Sequence, residues 1–327
     1  MPRVLVTPTL IRNVPGRYCD ILLSAGFEVV YPEDRDDTMD RPTLARCLQG
    51  IDAMLASTEK MDREFLKTTN LRVIARLGVG YDSIDIPGAT ELGIAVTITP
   101  GTLEESVAEH TIAMLLGVSR GIVERDREVR STVWSRAPMP RMAGRTFGIV
   151  GLGRIGRAVV PRVKGLGMRV MAADPYADPE FVRKHNIELV PLETLLETAD
   201  VVSLHSPSNA DTADIINERT LSRMKRGAIF INTSRGALVD ENALANALLS
   251  GHLMGAALDV FKVEPLPADS PLIKCPTALL CTHMGGLDHE SVEAATNLAA
   301  QCITDLYENR WPEECIVNRD LRGKFQW

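Results

Sequence analysis

None of the six cysteines (Cys19, Cys47, Cys275, Cys281, Cys302 and Cys315) stands in a C-x-x-C pair. A zinc site or a disulfide framework therefore has no spacing to support it, and reduced, mostly buried thiols are the simpler reading. No metal is expected. The chain also lacks any run of 18 or more apolar residues, and its opening "MPRVLVTPTL" has neither a long apolar core nor a cleavage site. Neither a membrane span nor a secretory leader is expected. A basic excess is missing too: 36 Lys and Arg stand against 43 Asp and Glu, a net charge of -7. An acidic surface does not attract a phosphate backbone or an anionic bilayer, so neither nucleic acid nor membrane is expected as the main partner. No solenoid repeat or low-complexity run occurs. Together these absences lead to the expectation of a cytoplasmic protein.

What the sequence does have is length, apolar content and a strand–helix rhythm. With 327 residues, 45% of them hydrophobic, it can bury a large core and suits two domains better than one. Short apolar runs recur at "VLVT" (4–7), "FEVVY" (27–31), "AMLA" (53–56), "RVIARLG" (72–78) and "IAVTI" (94–98), separated by polar, helix-compatible spacers. From 146 the rhythm restarts with "TFGIV", "RVMAAD", "IELV", "VVSLH", "AIFINT", "GAALDV" and "ALLCTH". Each run is apolar enough for a strand covered on both faces. The pattern predicts two parallel α/β sheets. The stretch 103–130 predicts one uninterrupted helix connecting them. Val292, Ala295, Leu298, Ala299, Cys302 and Leu306, at helical spacing, predict a helix that returns to the first domain. The expected division is 1–101 with 287–327 as one domain and 102–286 as a second domain inserted into it.

The inserted part opens on "FGIVGLGRIGR" (147–157), an apolar strand running into Gly151-x-Gly153-x-x-Gly156. Gly151 permits the tight turn, Gly153 lets the backbone approach a pyrophosphate, and Gly156 lets the helix pack on the strand, so that the helix amides face the anion. Alone such a motif is also compatible with a plain turn. A second strand ends at Asp174, 18 residues after Gly156, where a carboxylate can accept from ribose hydroxyls. Asp174 could otherwise serve as a turn former before Pro175. A carboxylate there repels a 2′-phosphate, and no Arg or Lys follows in 175–178, which favours NAD over NADP. Further on, Arg235 follows a strand in "INTSRGALVDENAL" and could grip a carboxylate bidentately or be a plain surface arginine. "ALDVFKVEP" supplies Asp259 and Glu264, and "LLCTHMGG" supplies His283. A histidine in contact with a carboxylate has a fixed tautomer and can serve as acid or base near neutrality. The other five histidines, His110, His185, His205, His252 and His289, lack this combination.

The order of "RLGVGYDSID", "GIVGLGRIG", "NTSRG", "DVFKVEP" and "CTHMGG" resembles the NAD-dependent D-isomer-specific 2-hydroxyacid dehydrogenases, among them D-3-phosphoglycerate, glycerate and D-lactate dehydrogenases. The resemblance spans nearly the whole chain. It implies a Rossmann NAD-binding domain inserted into a flavodoxin-like substrate domain, with NAD as cofactor and a 2-hydroxy or 2-oxo acid as substrate. It implies that Arg235 binds the substrate carboxylate, that His283 exchanges a proton with the substrate oxygen, and that Glu264 pairs with His283. The amides of Gly78, Val79 and Gly80 would hold the carboxylate from the other domain, making the interdomain cleft the active site. Arg154 and Ile155 would meet the pyrophosphate, and Ser206, Thr233, Asp259 and Gly285 the nicotinamide half. It further implies a homodimer with contacts from the connecting helix and the stretch around Trp134.

The chain departs from the pattern in two places. Many relatives carry an asparagine where Ile98 precedes Thr99-Pro100, and the chain ends soon after the returning helix, so no C-terminal regulatory domain is expected. Two other readings share these motifs: a non-catalytic NAD-responsive protein of the corepressor kind, and a dehydrogenase of a small anion such as formate or phosphite. Selectivity for the substrate side chain is expected from Thr7 to Arg12 and Ser57 to Lys60, where Arg12 could meet a phosphate or be a solvated loop residue.

Overall fold

The apolar runs of the first hundred residues form β1 (Arg3–Val6), β2 (Glu28–Val30), β3 (Ala53–Ala56), β4 (Val73–Arg76) and β5 (Ala95–Thr97). They pair in parallel in the order β2-β1-β3-β4-β5, the flavodoxin-like order, which reverses direction between β1 and β3. Side chains of successive residues leave opposite faces of a strand. Val4 and Val6 accordingly join one apolar cluster and Leu5 the other. The computed structural model describes all 327 residues, and they divide into two compact units, Met1–Leu103 with Leu287–Trp327, and Glu104–Gly286.

The return to the first unit is made by the helix His289–Tyr307. Its Asp288 cap accepts the Ser291 amide at 2.6 Å. Ala299, Ala300, Ile303 and Leu306 then fall on the stripe that fills the cluster of Val4 and Val6. Beyond the helix, Ile316 bridges Thr97 antiparallel, and the Val317 amide donates to the Val96 carbonyl.

In the second unit the strands are β6 (Thr146–Val150), β7 (Arg169–Ala173), β8 (Glu188–Leu189), β9 (Val201–Leu204), β10 (Ile229–Asn232), β11 (Gly255–Leu258) and β12 (Ala278–Leu280). Their order is β12-β11-β10-β9-β6-β7-β8, parallel throughout. The order reverses between β6 and β9, so the loops that leave these two strands flank the crevice where such sheets hold ligands. Two apolar clusters, one around Leu195 and Phe230 and one around Phe147 and Ile231, cover the sheet.

One expectation is corrected here. The stretch 103–130 is two helices, Glu104–Arg120 and Ile122–Arg130, broken at Gly121, whose φ of +58° is left-handed. A glycine at that geometry ends a helix. The first helix buries Val107, Met114 and Leu115, whereas the second buries nothing.

Candidate active site

The glycine motif sits in the loop from β6 to the helix Arg154–Gly165, beside the reversal of strand order. A β-carbon on Gly156 would lie 2.4 Å from the Gly151 carbonyl oxygen, so only glycine allows the helix to seat so close. A β-carbon on Gly153 would meet nothing within 4 Å, which leaves the approach to the helix start open. Arg154 and Ile155 begin that helix, where the first amides have no intrahelical acceptor and attract an anion. Asp174, just after β7, accepts the Leu152 amide at 2.6 Å and the Tyr176 amide at 2.7 Å. Those bonds tie the glycine loop to the carboxylate. On these observations the residues fit a dinucleotide.

The loops after β9, β10, β11 and β12 carry the remaining groups. The Ser206 hydroxyl donates to the Val150 carbonyl at 3.0 Å, and the Thr233 hydroxyl lies 3.2 Å from that of Thr111. Arg235 leaves β10 and donates to the Ser234 carbonyl, while its own carbonyl accepts from Asn232. A β-carbon on the next residue, Gly236, would stand 1.9 to 2.3 Å from backbone atoms of Phe261 and Lys262. This contact presses the Arg235 loop flat against the one bearing Glu264. His283 Nδ1 and Glu264 Oε2 are 2.7 Å apart, and Glu264 Oε1 accepts the Phe261 amide at 2.9 Å. Burial acts to raise the Glu264 carboxyl, but the His283 contact, the Phe261 amide and the nearby Arg235 charge outweigh it and hold it below its usual range. His283 itself has a left-handed φ of +56°, uncommon for a residue with a side chain.

Asp259 follows β11 and is buried. Its Oδ1 accepts the Met284 amide at 2.9 Å and its Oδ2 the Gly285 amide at 2.8 Å. It also has a partner that the sequence reading missed: His110 Nε2 stands 3.3 Å from Asp259 Oδ1, an ion pair when the imidazole is protonated. The reading that the other five histidines lack a carboxylate is therefore corrected for His110. Asp259 and Cys281 push the His110 imidazole up to about 9 against the effect of burial. Asp259 moves the other way: burial would raise its carboxyl, but His110 and the two amides overcome that and lower it. The signal was present in the helical spacing, since Val107, Thr111 and Met114 are all buried and His110 lies on the same stripe. Its partner, far along the chain, was not readable. His110, Asp259 and Cys281 place one donor atom each within 4.8 Å of one another, although backbone amides already engage both Asp259 oxygens.

In the first unit, the Gly78 amide donates to Thr99 Oγ1 at 2.9 Å. Val79 and Gly80 follow in the segment after β4. Arg12 is not a solvated loop residue: its Nη1 donates to the carbonyls of Glu33 at 3.2 Å and Asp36 at 3.1 Å. Around it, Asp36 takes Arg46 at 2.6 Å, and the fully buried Glu59 accepts the Ser57 amide at 2.7 Å and the Thr38 hydroxyl at 3.2 Å. Two buried carboxylates, Asp36 after β2 and Glu59 after β3, thus lie near the loop after β1, with Arg12 already tied down.

Comparison with known proteins bears on this geometry. Residues 112–285 match the family described as "D-isomer specific 2-hydroxyacid dehydrogenase, NAD binding domain". The chain is 40% identical to a glyoxylate reductase of Korarchaeum cryptofilum over 328 residues, covering 98% of this chain and 97% of that one. It is 39% identical to a D-3-phosphoglycerate dehydrogenase of Mycobacterium leprae over 271 residues, covering 82% of this chain and 51% of that one. Among solved structures, the TT0316 protein of Thermus thermophilus superposes with a TM-score of 0.87 at 38% identity, covering 96% of this chain and 100% of that one.

Proposed function

The chain belongs to the D-isomer-specific 2-hydroxyacid dehydrogenases, and we propose that within this family of NAD-dependent oxidoreductases it reduces a small, unphosphorylated 2-oxo acid of the glyoxylate or hydroxypyruvate type. The observation that carries the chemistry is the 2.7 Å contact between His283 and Glu264 beside Arg235. NAD supplies the hydride donor and acceptor. Arg235 offers a planar fork for the substrate carboxylate. With Nδ1 held by Glu264, His283 keeps Nε2 for the substrate oxygen. It donates a proton there during reduction and takes it back during oxidation. The ionised Glu264 stabilises the protonated imidazole before transfer and keeps the ring oriented after it. Gly151, Gly153, Arg154, Ile155 and Gly156 hold the pyrophosphate, Asp174 the adenosine ribose, and Ser206, Thr233, Asp259 and Gly285 the nicotinamide half.

The preference for an unphosphorylated substrate rests on the segments after β1, β2 and β3. A phosphate needs an available cation, whereas Arg12 is bound to two carbonyls and Asp36 and Glu59 are buried close by. The 40% identity with a glyoxylate reductase over nearly its whole length supports the same choice. NADH oxidation with glyoxylate, hydroxypyruvate, pyruvate and 3-phosphohydroxypyruvate tests it. The highest kcat/KM is expected for glyoxylate or hydroxypyruvate; a clear preference for the phosphorylated acid would overturn the substrate assignment. We place the protein in the cytoplasm, where its six free thiols stay reduced, and read it as a homodimer on grounds given below.

A further inference from the structure

His283 holds a left-handed backbone conformation. For a residue with a side chain this is a strained conformation, and it persists only where the surroundings enforce it. The enforcement is visible. Immediately after His283, the Met284 and Gly285 amides both donate to Asp259, and the Gly285 carbonyl accepts from the Ser106 hydroxyl at 2.8 Å. A β-carbon on Gly285 would stand 3.0 Å from Asp259 Oδ2 and 3.5 Å from His110 Cδ2, so segment, carboxylate and imidazole are packed together. Asp259 is only 2% exposed, and a carboxylate so deeply buried needs a compensating charge. His110, 3.3 Å away, is the cation that faces it.

We propose that His110 is a positioning residue for the His283–Glu264 pair: it neutralises the buried Asp259, whose two oxygens fix the backbone that aims His283. The proposal rests on the role given to His283 above. Without the imidazolium, Asp259 is an unpaired buried charge that gains by taking up a proton or turning toward water. Either change weakens its acceptance of the two amides and releases the strained segment. The loss appears in the chemical step, because small displacements of an acid–base group reduce turnover steeply.

The test compares the intact wild-type enzyme with His110→Gln, His110→Ala and His283→Ala. Measured for each are kcat, the KM for the preferred 2-oxo acid, the NADH dissociation constant from fluorescence titration, and Tm. For His110→Gln, kcat per NADH-binding site at saturating NADH is expected to fall at least tenfold, while the KM for the 2-oxo acid moves less than threefold. Added imidazole is expected to restore part of the turnover of His110→Ala and none of that of His283→Ala. A His110→Gln protein with a lowered Tm but wild-type kcat per NADH site would make His110 merely structural and overturn the proposal. If His110→Ala fails to fold, the near-isosteric His110→Gln carries the test alone. Full turnover by His283→Ala would instead sink the reading of His283, whatever His110 does.

Discussion

His110 has a consequence for stability as well as for aim. Its imidazole is raised from an ordinary 6.5 to about 9 by Asp259 first and Cys281 second. A raised pKa in the folded state means a contribution that is complete below 6.5, shrinks between 6.5 and 9, and is gone above 9. The Tm gap between wild type and His110→Gln is therefore expected to be widest near about pH 6 and to close as the pH approaches about 10. A gap that stays constant over that range would mean that His110 is not charged in the folded protein. The same residue marks a limit of sequence reading. Arg235, Glu264 and His283 are readable because each follows a strand, and strand ends are marked by apolar runs. His110 sits inside a helix and meets Asp259 only through the fold.

At the scale of elements, the inner strands are legible because parallel strands buried on both faces must be apolar along their length, whereas the edge strands β2 and β8, with no buried residue, are marked only by short apolar runs. The break at Gly121 is not readable from apolar spacing, which continues across it; the stop signal is one glycine with a left-handed φ. Glycine placement is also what brings the chemical loops together. A methyl group on Gly236 would overlap the Phe261 backbone, so Gly236→Ala must push the Arg235 loop away from the Glu264 loop. The expected result is a loss of kcat/KM on the order of a hundredfold with NADH binding retained, read from steady-state kinetics and fluorescence titration. Wild-type kinetics would show that the two loops need not touch.

For the molecule as a whole, no helix is long and apolar enough to cross a membrane, yet one face asks for cover. The helix Ile122–Arg130 buries nothing, Ile122, Val129, Val133 and Trp134 are each exposed, Trp134 by 78%, and Val129 and Trp134 line one surface hollow. Patches of this kind mark association sites, and the proposed homodimer uses this one. Light scattering after size exclusion is expected to give twice the chain mass for the wild type and a shift toward monomer for Val129→Asp. A wild-type protein that elutes as a monomer at micromolar concentration would remove the dimer from the proposal.

The helix His289–Tyr307 lends the first unit part of its core from the far end of the chain. On the ribosome this sets a schedule. Glu104–Gly286 is one continuous stretch and can complete its sheet as soon as it clears the exit tunnel. The first hundred residues, made earlier, wait with Val4, Leu22 and Leu55 uncovered until Ile303 and Leu306 emerge. At roughly 5–20 residues per second, that interval lasts roughly ten seconds or more. The core of the first unit is therefore completed only after the second unit has been made.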